Sequence, residues 1–153
     1  MLGEIKMKAD IAELRKWKRE FEDELRENIL PYWEKLRTPD GFIPSLDDQN
    51  EPIDGAPLGL VMVSRLMWTY SRAYSMYGKR EYAKMAIHAK GVMMKWFLDE
   101  AEEGFFWALD ETGQLIDDQK YCYGQAFAIY AFSEFSAAFG NEESFQVAIS
   151  LFR

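Results

Sequence analysis

The chain has 153 residues, 26 of them acidic and 18 basic, giving a formal charge of −8. Apolar residues at 48% and charged residues at 29% make a globular composition and exclude a disordered tail, while the acidic balance argues against a dedicated nucleic-acid or anionic-membrane binder. No apolar run approaches the roughly 18 residues that cross a bilayer. MLGEIKMKAD lacks a signal-peptide core and the single Cys122 allows no internal disulfide, so a cytoplasmic setting is expected.

In chain order, residues 10–36 place Leu14, Trp17, Phe21 and Leu25 on one side, which predicts an amphipathic helix that Pro31 kinks or ends early. Residues 41–54, GFIPSLDDQNEPID, set turn-forming residues between short apolar stretches and predict a hairpin. Residues 58–71 carry no charge except Arg65, the pattern of a buried inner helix, and Gly78 supplies its C-terminal cap. Residues 80–98 put Tyr82, Met85, Ala86, Ala89, Met93, Trp96 and Phe97 on one stripe, with Lys84, Lys90 and Lys95 elsewhere; this predicts an outer helix with a solvated face. A second hairpin is expected over 104–117, GFFWALDETGQLID, and a second inner helix over 121–133, where no charge occurs. Gly140 then ends that helix and Asn141 caps the last one.

These elements repeat. Shifted by 63, Gly41, Phe42, Leu46, Asp47, Ile53 and Asp54 meet Gly104, Phe105, Leu109, Asp110, Ile116 and Asp117, and Trp33 meets Trp96. Shifted by 62, Ser71, Gly78, Glu81 and Ala86 meet Ser133, Gly140, Glu143 and Ala148. A fixed period marks a modular array. Alternating wet and dry helices joined by short β-hairpins describe an all-α, partial (α/α)6 toroid or barrel better than a bundle. Six units of about 62 residues would need on the order of 370 residues. The expectation is that 1–153 is the N-terminal part of a single α/α-barrel domain, roughly two and a half units, in a truncated chain. A complete open stack is the alternative, and it would leave the inner helices uncovered on one side.

Two residues stand out as candidates. Arg65 sits mid-helix on a face shared with Val61, Met62, Trp68 and Thr69. A buried, unpaired guanidinium costs several kcal/mol, so it either meets a carboxylate across the core or donates into a polar cavity. Tyr123 lies in KYCYGQAF on the other inner helix; buried, its hydroxyl would need a partner, as would Gln125. His88, the only histidine, falls between Lys84 and Lys90 on an outer helix and reads as a packing residue. Asp47-Asp48 and Asp117-Asp118 read as turn formers. No phosphate-cradling loop, nucleophile elbow or HExxH is present.

The run GLVMVSRLMWTYSRAY, followed by GFFWALDETGQLIDDQKYCYGQAFAIYAFSEF, resembles the N-terminal part of the N-acylglucosamine 2-epimerase superfamily, and within it the cellobiose 2-epimerases. The likeness runs from about residue 19 onward and rests on S-R-x-x-W and K-x-x-Y-x-Q-A-F, with arginine and tyrosine 58 positions apart. It implies cofactor-independent, metal-free inversion at C2 of a mono- or disaccharide's reducing end, with ring opening and a proton passed between two histidines. Arg65 would then hold sugar oxygens and the developing enediolate, and Tyr123 would line the same pocket. The acid–base histidines would come from later units, since His88 matches neither, so the chain alone is expected to be inactive. Many cellobiose epimerases have asparagine where this chain has Val63. No nucleic-acid or membrane partner is expected, and the exposed inner helices could drive self-association. Two other classes stay open: an (α/α)6 glycoside hydrolase, which needs two carboxylates that the dry inner stretches lack, and a non-catalytic helical-repeat scaffold.

Overall fold

A computed structural model describes residues 11–153, which fall into two compact units, the described part of Met1–Leu36 and Arg37–Arg153. In the first, α1 (Ile11–Glu24) runs into a π-helical turn (Leu25–Ile29) and then α2 (Leu30–Glu34). Pro31 has no N–H to give an i→i−4 bond. The preceding turn widens instead, with the Leu30 N–H bonded to the Leu25 carbonyl, so the helix continues through the proline. None of the α1 residues is buried; Phe21 and Ile11 lie largely in solvent.

The second unit holds the two inner and two outer helices. Inner α3 (Leu60–Tyr77) precedes outer α4 (Arg80–Val92), which ends in a π-turn at Met93–Phe97. Inner α5 (Cys122–Phe139) precedes outer α6 (Glu142–Phe152). Each outer helix packs on its own inner helix, and α3 packs on α5. This is the partial α/α toroid expected. The caps follow the sequence: Gly78 and Gly140 take left-handed φ of 65° and 61°, and the Asn141 side chain accepts from the Ser144 N–H at 2.9 Å.

Residues stacked across the α3–α5 seam rise together in both helices, so the two run parallel. The Trp68 and Tyr130 rings stack at 4.8 Å and 12°, and Arg72 meets Glu134 at 3.6 Å; each pair is 62 positions apart, the period of the repeat. Farther along, Tyr74 stacks on Phe139 at 4.8 Å. The core lies between the inner and outer layers. Val63, Met67, Tyr70, Ala86, Ala89, Met93, Phe97, Ala128, Ala131 and Phe132 are essentially sealed there, and a fully buried phenylalanine contributes about 2–3 kcal/mol. Val63 packs inside this core, on the side away from solvent.

The two hairpins differ. The second forms β2 (Ala108–Leu109) and β3 (Leu115–Asp117), and β1 (Leu58–Gly59) of the first repeat joins them in an antiparallel sheet ordered β1-β2-β3. The first is reduced to a single bridge, Leu46 to Pro52, because proline cannot donate to a longer ladder. Its turn is nonetheless the same as the second. Asp47 Oδ1 accepts from the Gln49 and Glu51 N–H groups, and Asp110 Oδ1 from those of Thr112 and Gln114, all at 2.8–2.9 Å. Asn50 and Gly113 occupy the same left-handed position, with φ of 66° and 87°.

Candidate functional site

Burial of the inner helices is one-sided. In α5 the buried residues are Gly124, Ala128, Ala131, Phe132 and Phe135, while Tyr123, Ala126 and Tyr130 are exposed. An uncharged helix is therefore not a wholly buried one here. Its second face is aromatic and opens on a cavity of about 620 Å³ lined by Arg65, Trp68, Thr69, Ala126, Phe127 and Tyr130. That volume lies in the range of small-molecule sites, which combine mostly apolar walls with a few polar groups.

Arg65 lines this cavity from the middle of α3 and is exposed. Among the described residues it makes no ion pair, so the core salt bridge open in the sequence is not formed. Its guanidinium brings a planar fork of N–H donors to the cavity lining. Tyr130 faces it across the seam. Burial pushes the Tyr130 hydroxyl above the ordinary tyrosine pKa, the Glu134 charge adds to that, and Arg65 works against it. The phenol therefore stays a proton donor at neutral pH.

Tyr123 departs from its expected burial: it is 61% exposed. It stands in the first turn of α5, two residues after the extended N-cap Tyr121. Its ring is edge-on to Phe127 at 4.9 Å, which links it to the cavity's rim rather than to its lining. Arg65 and Tyr123 thus share one wall, with Phe127 between the tyrosine and the cavity.

Gln125 is satisfied structurally. Its Oε1 accepts from the Phe105 N–H at 2.9 Å and its Nε2 donates to the Phe105 carbonyl at 2.7 Å, tying the second hairpin to α5. His88 is likewise a packing residue. Its Nε2–H donates to the Gly41 carbonyl at 2.9 Å and its ring meets Phe42 edge-on at 5.1 Å. Asp117 caps the Gln119 N–H at 3.0 Å. Asp99 is tied to Lys120 at 2.6 Å, and that bond first, with the Ala101 N–H, holds its carboxyl below the usual range. Among the described residues no group of three or more His, Cys, Asp or Glu could hold a metal ion, and no helix is long and apolar enough to cross a membrane. Sequence reasoning missed Ala126 and Tyr130 in the wall. The 62-residue shift held the signal, because it pairs Trp68 with Tyr130 across the parallel helices.

Fold and cavity together define an α/α-toroid protein with a ligand-sized, aromatic-walled recess on its inner helices. The chain belongs to the N-acylglucosamine 2-epimerase family, which it matches over residues 41–153. It is 36% identical over 143 residues to cellobiose 2-epimerase of Dictyoglomus turgidum, covering 92% of this chain and 37% of that protein. The corresponding enzyme of Bacteroides fragilis is 38% identical over 138 residues, or 88% of this chain and 35% of that one. The solved structure of cellobiose 2-epimerase from Spirochaeta thermophila superposes with a TM-score of 0.88 at 32% identity, over 93% of this chain and 36% of that chain. The chain spans little more than a third of the length of these relatives.

Proposed function

We propose that this chain forms part of the sugar-binding wall of a carbohydrate 2-epimerase acting on a mono- or disaccharide such as cellobiose. One observation carries the reading: among the described residues, Arg65 is the only charged side chain on the cavity wall, set among Trp68, Phe127 and Tyr130. Removing the proton beside a sugar carbonyl puts negative charge on the carbonyl oxygen. Fixed donors at that oxygen lower the barrier, and aromatic faces hold the apolar side of the pyranose. Arg65 supplies the donor, and the protonated Tyr130 and the rim residue Tyr123 supply further hydroxyl contacts.

The proton itself needs a base of near-neutral pKa within hydrogen-bond reach. His88 cannot serve, because its ring nitrogen is engaged with Gly41 in the outer layer. In this reading the acid–base histidines are those that the family resemblance places in later units, and this chain alone binds sugar without inverting it. A glycoside hydrolase would need two carboxylates flanking a bond. α3 contains no acid, and α5 contains only Glu134, which is paired with Arg72.

Saturation-transfer NMR with cellobiose tests the wall. Arg65→Ala should weaken binding about tenfold or more, the loss expected for a charge-assisted hydrogen bond. In the same samples the C2 proton signals should show no inversion. Inversion by this chain alone, or equal binding by the Arg65→Ala variant, would overturn the assignment.

A further inference from the structure

Just beyond the cavity, the inner helices carry charge on both sides of their seam. One turn past Trp68, Arg72 of α3 meets Glu134 of α5 at 3.6 Å, and Glu134 stands one turn past Tyr130. Trp68 and Tyr130 line the cavity, whereas Arg72 and Glu134 lie outside its lining. We propose that Glu134 is a specificity-determining residue: it occupies Arg72, the second cation of the inner helices, and so keeps the site for uncharged sugars and excludes phosphorylated ones.

Arg65 and Arg72 are the only charged residues of α3, and Glu134 is the only one of α5. The two arginines are two helical turns apart, about 10 Å along α3. That distance is comparable with the span of a hexose carrying a phosphate at its far end. Helical side chains lean toward the N-terminus of their helix. Arg72 and Glu134 therefore lean back over the Trp68–Tyr130 stack, toward the cavity.

Burial separates the partners. The Glu134 side chain is 19% exposed and that of Arg72 55%, so the guanidinium keeps an open side while the carboxylate is largely covered. The carboxylate's charge is felt on the wall itself. After burial, it is the next cause that pushes the Tyr130 hydroxyl above its ordinary pKa, against the pull of Arg65. With Arg72 neutralised, the inner helices keep one net positive charge, at Arg65. One fixed cation suits the single oxygen that gains charge when the neighbouring proton leaves. It gives a phosphate no second anchor, and Glu134 repels a phosphate brought up to Arg72. Repulsion of this kind discriminates between ligands that fit equally well.

This role rests on the carbohydrate reading of the cavity, and the test separates the two. Glucose and glucose 6-phosphate are titrated against the chain and followed by saturation-transfer NMR. The parent should bind the phosphate ester no better than glucose. Glu134→Gln keeps the side chain's shape and releases Arg72, so the ratio of glucose 6-phosphate to glucose affinity should rise about three- to tenfold. Glu134→Ala should act alike, and high salt should shrink the rise. Adding Arg72→Gln should abolish it. Glu142→Gln, which removes one charge from the exposed start of α6, should leave the ratio unchanged. A purely structural loss would weaken both ligands in parallel, and circular dichroism confirms that each variant is folded. A ratio unchanged in both Glu134 variants, raised equally by Glu142→Gln, or still raised without Arg72 would overturn the role of Glu134 and leave the cavity reading standing. So would a parent that prefers the phosphate ester. A parent that binds neither ligand would overturn both.

Discussion

Gln125→Ala is the sharpest perturbation of the scaffold that holds this wall. Phe105 is fully buried, and its N–H and carbonyl both bond to the Gln125 side chain, at 2.9 and 2.7 Å. Alanine removes both partners at once, at a part-buried site. Each lost bond costs about 1 kcal/mol net, and each orphaned group adds part of its desolvation penalty; together this gives about 3 kcal/mol. For a chain of this size that lowers Tm by about 6–12 °C. Urea unfolding followed at 222 nm reads it directly as a lower midpoint at unchanged slope. Gln119→Ala, at an exposed position, is the control and should change stability by less than about 0.5 kcal/mol. If Gln125→Ala costs no more than that control, the hairpin is not anchored to α5 by this amide, and the reasoning fails.

Two further outcomes follow from the second hairpin. At Gly113, φ is 87° and an added Cβ would sit 2.8 Å from the Trp96 ring, so Gly113→Ala should cost about 2–4 kcal/mol in a denaturation experiment. Gly55→Ala, with φ of 70° and open space around it, should cost only about 1 kcal/mol; equal losses would mean that Trp96 is not the obstacle. The Asp110 carboxyl titrates below its ordinary value, held down first by the Thr112 hydroxyl and then by the Gln114 N–H. A depressed native pKa adds stability above the unfolded value of 3.8, lost as pH falls through the native one. The urea midpoint should therefore fall more steeply below about pH 4 in the parent than in Asp110→Asn, and matching pH profiles would refute it.

The sequence by itself determined whatever depends on residues close along the chain. Asp47 and Asp110 reach N–H groups two and four positions on, Gly78 and Gly140 take the left-handed caps, and Asn141 reaches three residues ahead. Such contacts need only the right side chain at the right spacing. The same holds for the order of inner and outer helices, because a charge-free stretch can be buried and a striped one can lie between core and solvent. The 62-residue period was legible too, and it fixed which residues of α3 and α5 stand side by side.

Only the tertiary structure decided which side of each inner helix is buried. Hydrophobicity does not separate a face packed on an outer helix from an aromatic face turned to a cavity, so Tyr123 read as buried although it is exposed. Contacts over long separations were equally hidden: His88 to Gly41 spans 47 residues, and Gln125 to Phe105 spans 20. Such bonds form because packing brings remote segments together, and local spacing carries no trace of them. The recess beside Arg65 exists for the same reason. Two parallel helices, each with one sealed side, turn their remaining aromatic faces toward a common space.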